Sequence, residues 1–258
     1  MNTQETLSKE RLKIGLIGAQ GDLGQALIQR FAESGFEGEL IVSGGRGQSA
    51  ALVENVDLVM LAVRPMQLAE VSREVRGHLK GSVLTFSAAT PEAALEENLG
   101  SKVVRAMTDI DFNQVIAMSD DQSRGLLSAL SKNPLMEVST ETPLDRFTVF
   151  VGCLPGVVAW QLLNNREKAL DWLQHYFLFI QEKLGVTEDL LQKILFKGLM
   201  DQDLAATIKR IGKEGSITES LIQQLERNPS SSLEELYAAG WARTARVREA
   251  VATSLKTQ

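Results

Sequence analysis

Three glycines spaced three residues apart, Gly18, Gly21 and Gly24, lie between an apolar run at 13–18 (KIGLIG) and an amphipathic stretch at 24–34 (GQALIQRFAES). An apolar strand, a glycine turn and a helix in that order restrict the chain to a small set of α/β arrangements. Such a turn brings free backbone amides and the positive end of a helix dipole up to a pyrophosphate, and glycines permit the close approach. The dinucleotide pattern ordinarily reads G-x-G-x-x-G, whereas this turn is one residue longer, G-x-x-G-x-x-G. Gly18, Ala19, Gln20, Gly21, Asp22 and Leu23 are therefore the expected cofactor-binding loop. The competing reading is a glycine turn that binds nothing.

The end of the second strand bears on which nucleotide would fit. An acidic residue there would hold ribose hydroxyls, as NAD sites usually do. This chain reads Ser43-Gly44-Gly45-Arg46 and has no acid until Glu54, while Glu39 opens the strand instead of ending it. A hydroxyl and a guanidinium suit a 2′-phosphate, so Ser43 and Arg46 point to NADP, with NAD the second choice. The competing reading makes Arg46 a solvated loop residue.

Further apolar runs follow at 39–43, 57–63, 82–87 and 102–107, with short ones at 114–118 and 136–138. Helices are expected between them at about 66–79 and 91–99. Unbroken apolar strands separated by helices predict a parallel sheet covered on both faces. From 155 to 184 the period changes: Leu163, Leu170, Phe177 and Leu184 recur every seven residues, with Leu173 and Ile180 between them. That spacing predicts helix packed on helix. A second helical stretch is expected over about 188–211. Ser216 with Glu219, and Ser232 with Glu235, have capping-box spacing and open two more. The fold class is α/β: a Rossmann-type, mostly parallel sheet over 1–142, followed by an all-α unit over 143–258.

Composition narrows the function classes. With 27 basic against 33 acidic side chains, the net charge is −6, and no basic cluster exists to track a nucleic-acid backbone. One cysteine, Cys153, and two histidines, His78 and His175, leave no internal disulfide and argue against a multi-cysteine or multi-histidine metal centre. No apolar run approaches the roughly 20 residues of a membrane span. The polar N-terminus lacks the core of a signal peptide, and a cytoplasmic location is expected.

With these pieces in place the chain resembles pyrroline-5-carboxylate reductase, the NAD(P)H enzyme that makes proline. The family's first strand and loop are similar to 14–26 (IGLIGAQGDLGQA). Its Ala-Val-Lys-Pro segment, near the nicotinamide, corresponds to Ala62, Val63, Arg64 and Pro65. Its Arg-Ala-Met-Pro-Asn corresponds to Arg105-Ala106-Met107-Thr108-Asp109, and its Gly-Ser-Gly-Pro-Ala to Gly152-Cys153-Leu154-Pro155-Gly156. Its Pro-Gly-Gly-Thr-Thr corresponds to Glu214-Gly215-Ser216-Ile217-Thr218. The resemblance implies an NADP-dependent oxidoreductase that passes a hydride to a small cyclic imine. It implies substrate carboxylate binding at Gly215, Ser216 and Thr218, with Thr218 as the catalytic hydroxyl, and cofactor contacts at Ala62, Val63, Arg64 and Pro65. It also implies a homodimer through the C-terminal helices, which agrees with aromatic residues on several sides of the first long helix (Trp160, Trp172, Tyr176, Phe177, Phe179).

The departures open an alternative. Thr108-Asp109 replaces proline-asparagine, and Ile217 replaces a threonine. The segment at 44–56 is too short for the helix and strand the family places there. Ser216 and Glu219 also compose a plain helix cap, and Glu219 would repel a carboxylate. The alternative is a catalytically silent paralogue that acts as a dimeric nucleotide-binding or regulatory protein. Asp109 is a further candidate, as a proton donor if buried.

Overall fold

In the computed structural model, which describes residues 11–43, 45, 47–184 and 203–257, the central strands of the sheet form on the continuously apolar runs of the first half. Its strands are β1 (Leu12–Ile17), β2 (Gly38–Val42), β3 (Leu58–Leu61), β4 (Ser82–Thr85), β5 (Val103–Thr108), β6 (Val115–Ala117) and β7 (Met136–Glu137). They lie in the order β2-β1-β3-β4-β5-β6-β7, parallel throughout except for the β5–β6 pair. The fold class is as expected, a Rossmann-type sheet followed by helices.

β3 shows why the apolar runs are unbroken. Leu58 and Met60 pack on one face with Ile14, Leu16, Leu27 and Leu84, while Val59 and Leu61 pack on the other with Ile17, Val53, Val75 and Val83. A strand buried on both faces has no solvent side on which to alternate. Helices α1 (Asp22–Glu33), α2 (Ser49–Val53), α3 (Leu68–Val75), α4 (Glu92–Leu99) and α5 (Asp121–Leu130) connect the strands. The short 44–56 segment is spanned by the five-residue α2, which leads directly into β3 and leaves β2 as the edge strand.

The helical half begins with α6 (Glu141–Phe147), a π-type turn (Thr148–Cys153) and α7 (Leu154–Asn164) in one continuous rod. By length and mean hydropathy (1.5) this rod could cross a membrane, yet 72% of its most apolar stretch is buried inside the protein. It is the core helix of this half, packed by Leu144, Phe147, Phe150, Leu154 and Val157 against Trp172, Leu221, Leu225 and Leu236. The helix expected from 155 begins earlier, at Glu141, a start that Thr148 and Gly152 conceal by interrupting the apolar run.

The single helix expected over 155–184 is two. Asn165 leaves the helical conformation (φ −154°, ψ 81°) between α7 and α8 (Arg166–Leu184). Trp172 is buried within the chain, and Phe179 packs edge-on against Phe150 and Tyr237. Leu163 and Leu178 stay exposed at 54% and 68%. The side chains of Leu170, Leu173, Tyr176, Phe177, Ile180 and Leu184 lie outside the described residues, as does 188–202 of the second helical stretch.

Then come α9 (Leu204–Ile211), α10 (Ile217–Arg227) and α11 (Leu233–Lys256). The last turns of α11 return to the sheet layer. Val251 and Leu255 are buried among Val53, Val75, Leu95 and Leu99, and the Asn98 side-chain amide donates to the Leu255 carbonyl at 2.6 Å.

Candidate active site

β1 runs between β2 and β3, so the chain leaves it in opposite directions and a crevice opens at the strands' carboxyl ends. A cleft of about 660 Å³ occupies that position. Ile17, Gly18, Ala19, Gln20, Gly21, Asp22 and Leu23 line it from the loop, and Ala62, Val63 and Arg64 from the end of β3. Ser43, Gly45 and Ser49 line its far end, and Ile110 and Lys213 its near wall.

The three glycines of the loop have different reasons. Gly18 has φ +93°, and a Cβ there would lie 2.5 Å from the Ala62 carbonyl oxygen. A Cβ at Gly24 would lie 2.2 Å from the Gly18 carbonyl oxygen. Both are demanded by the chain's own packing. Gly21 is not: its backbone is extended (φ −77°, ψ 164°), and a Cβ would come no nearer than 3.4 Å to any atom. What its bare Cα preserves is open cleft at the start of α1. No side chain caps that helix, so its first amides stay available to an anion. This geometry fits a pyrophosphate.

The far end is held by a turn in which the Ser43 hydroxyl donates to the Gly45 carbonyl at 3.2 Å, and by Glu74, which accepts the Ser49 amide at 2.7 Å. Arg46 lies outside the described residues. Ser87 donates to the Val63 carbonyl at 2.7 Å and ties the ends of β3 and β4 together. Arg64 is exposed at the rim, and Pro65 starts a 3₁₀ turn behind it.

The segments read as substrate-binding are placed differently. Gly215, Ser216 and Thr218 do not line the cleft, although Lys213 does. The Gly215 amide donates to the Glu219 carboxylate at 2.7 Å, and the Ser216 amide donates to the Lys213 carbonyl at 2.9 Å. Ser216 caps α10 by accepting the Glu219 amide. Thr218 is buried, with its hydroxyl hydrogen-bonded to Cys153. Its methyl sits where a Cβ on Gly156 would lie 2.8 Å away. Burial pushes the Cys153 thiol up to about 11, against the opposing pull of that hydrogen bond.

Asp109 organises a turn. One carboxylate oxygen accepts the Asp111 amide and the Asn113 side-chain amide, and the other accepts the Gln114 amide, each at 3.0 Å. Burial raises its pKa while these bonds oppose the rise. Thr108 donates to the Gln114 carbonyl at 3.0 Å. The Thr108-Asp109 pair thus closes the β5–β6 hairpin that carries Ile110 to the cleft.

Arg105 is 1% exposed, with its guanidinium on Glu141 and Asp145, both at 2.9 Å. Arg248 of α11 pairs with the same two carboxylates. Arg105 belongs to the segment matched to the family's Arg-Ala-Met-Pro-Asn, but strand alternation turns its side chain into the helical half. His78 is exposed and pairs with Glu54 at 2.6 Å. Among the described residues no group of three or more His, Cys, Asp or Glu could hold a metal ion.

The site thus sits in a Rossmann-type fold, a mostly parallel sheet with an open glycine loop at its switch point and a helical C-terminal half. In fold the chain is similar to the pyrroline carboxylate reductase of Plasmodium falciparum, solved with NADP bound. The match has 17% identity and a TM-score of 0.53, and covers 93% of this chain and 98% of that one. It is also similar to the 1-pyrroline-5-carboxylate reductase of Streptococcus pyogenes (18%, TM-score 0.50, covering 93% and 99%). A PanE/ApbA family ketopantoate reductase from Ralstonia eutropha matches at 15% and TM-score 0.50, covering 95% and 100%. No protein-family model matches the chain, and no curated protein matches it in sequence. The likeness is one of fold.

Proposed function

We propose that the chain is an NADP-binding oxidoreductase of the pyrroline-5-carboxylate reductase type, acting on a small cyclic imine or a related C=N or C=O substrate. The observation that carries this reading is Gly21. It is a glycine that neither backbone strain nor packing requires, at the uncapped start of α1, on the floor of a cleft at the switch point of the sheet. In this reading Gly18, Ala19, Gln20, Gly21, Asp22 and Leu23 bind the pyrophosphate. Ala62, Val63, Arg64 and Pro65 flank the nicotinamide side, and Ser43 and Arg46 take the adenosine end. A reduced nicotinamide would supply the hydride. The chain's own part is positioning, and the substrate nitrogen takes its proton from solvent or a hydroxyl. The domains divide as 1–142 for the nucleotide and 143–258 for substrate and dimerisation. Exposed Leu163 and Leu178 support a homodimer through the helices. A cytoplasmic location goes with this reading.

The substrate end, with Gly215 and Ser216 holding a carboxylate and Thr218 as the catalytic hydroxyl, rests on the resemblance. Two observations favour the second reading, a dimeric nucleotide-binding protein without reductase activity. Glu219 already holds the Gly215 amide, and the Thr218 hydroxyl is turned to Cys153.

Calorimetric titration with NADPH and, separately, NADH tests the cofactor half. Micromolar NADPH binding with NADH much weaker is expected, and no binding of either overturns it. NADPH oxidation with a panel of cyclic imines then separates the two readings, since binding without turnover selects the silent protein.

A further inference from the structure

Among the described residues lining the cleft, Lys213 is the one supplied by the helical half. It lies between α9 and α10, and its ammonium pairs with the carboxylate of Asp22, the first residue of α1. Asp22 therefore stands beside the amides that a pyrophosphate would use. A carboxylate at the first turn suits the helix dipole, but it competes with a bound anion for the same positive field. The described side chains lining the cleft bring three carboxylates (Asp22, Glu70, Glu74) against two cations (Arg64, Lys213). Glu74 is occupied by the Ser49 amide at the far end. Without Lys213 the phosphate position would face Asp22 uncompensated.

We propose that Lys213 is a nucleotide-binding residue of the glycine loop, contributed across the cleft, which neutralises Asp22 and thereby admits a pyrophosphate to the start of α1. The proposal rests on the nucleotide reading given above and adds to it a cation from the other half of the chain. Binding then links the two halves, because the group that offsets Asp22 travels with α9 and α10. The pairing is partly exposed, with the side chains at 41% and 50%, so its effect is screened by salt.

The test is calorimetric titration of wild type, Lys213→Ala, Lys213→Arg, Asp22→Asn and the Asp22→Asn/Lys213→Ala double variant. NADPH and inorganic pyrophosphate serve as separate probes. Lys213→Ala is expected to weaken both ligands about tenfold at low salt and less at high salt, and Lys213→Arg to bind like wild type. Asp22→Asn is expected to bind at least as tightly as wild type, and the double variant to recover most of the loss. Unchanged NADPH affinity in Lys213→Ala overturns the proposal and leaves the nucleotide reading standing. A double variant no better than Lys213→Ala also overturns it, because the lysine would then act independently of Asp22. If wild type binds pyrophosphate in a Lys213-dependent way but neither NADPH nor NADH, the dinucleotide reading falls and the nucleotide-binding role of Lys213 falls with it. If no probe binds, both fall.

Discussion

Gly21 and Gly24, three positions apart in one loop, separate what folding needs from what a ligand needs. An alanine methyl at position 24 meets the Gly18 carbonyl oxygen at 2.2 Å and the Ala19 Cα at 2.6 Å, both backbone atoms that cannot rotate away. Gly24→Ala is expected to cost about 1–3 kcal/mol, the usual range for forced overpacking. Gly21→Ala should stay within about 0.5 kcal/mol of wild type, because a stiffer unfolded chain offsets alanine's poorer N-capping. Its methyl would project into the cleft, so NADPH affinity should fall at least tenfold while the urea midpoint holds. Loss of stability in Gly21→Ala, or unchanged affinity, would contradict this division. The spacing of the glycines was legible in the sequence. Their different duties were not, because those depend on how closely the end of β3 approaches Gly18.

At the level of elements, the apolar runs reported the strands faithfully, since a strand buried on both faces cannot hide in a polar pattern. Helices with small caps escaped notice. α5 opens at Asp120, whose carboxylate accepts the Ser123 amide at 2.8 Å and pairs with Lys102 at 2.8 Å, and Ser123 donates back into the cap. A serine in the third position carries none of the Glu or Gln signal that marks a capping box. Likewise Glu219 reaches one residue past the expected box, to Gly215 instead of Ser216. Burial tends to raise the Asp120 pKa, but the Lys102 and Ser123 hydrogen bonds prevail and hold it at about 2. A carboxyl depressed in the folded state stabilises above its unfolded pKa near 4, and that contribution disappears as the pH falls toward 2. Asp120→Ala should therefore cost about 1 kcal/mol at neutral pH, the typical value of a lost cap. Urea unfolding across that acid range should show the gap between the two proteins closing. A gap that persists at the acid end would mean the cap is held by something other than charge.

For the molecule as a whole, the question is what fixes the helical half against the sheet. Arg105 answers from the interior of β5. Its guanidinium reaches Glu141 and Asp145 of α6, and Arg248 of α11 closes the four-charge cluster from the opposite side. The sequence could not show this, because the four residues span positions 105 to 248 and only the return of α11 to the sheet layer brings Arg248 in. The two arginines are not equivalent. Arg105 is 1% exposed, whereas the Arg248 side chain is 29% exposed and can be replaced partly by water. Burial already raises the Asp145 pKa against the pull of Arg105. Removing that arginine leaves a buried carboxylate with a weaker partner, so Arg105→Met is expected to cost about 3–5 kcal/mol, the range for breaking a buried pair. Arg248→Met should cost less, about 1–2 kcal/mol, as expected for hydrogen bonds to a charged group that solvent can partly restore. In Arg105→Met the Asp145 pKa rises further, and a raised carboxyl destabilises the folded state above its unfolded pKa and is relieved as the pH falls. The penalty should consequently shrink as the pH is lowered from neutral, which urea midpoints for the two variants and wild type can follow. Negligible costs for both arginines would show that the halves are held by apolar packing alone, whereas equal large costs, or a penalty that grows on acidification, would contradict the unequal roles argued from burial.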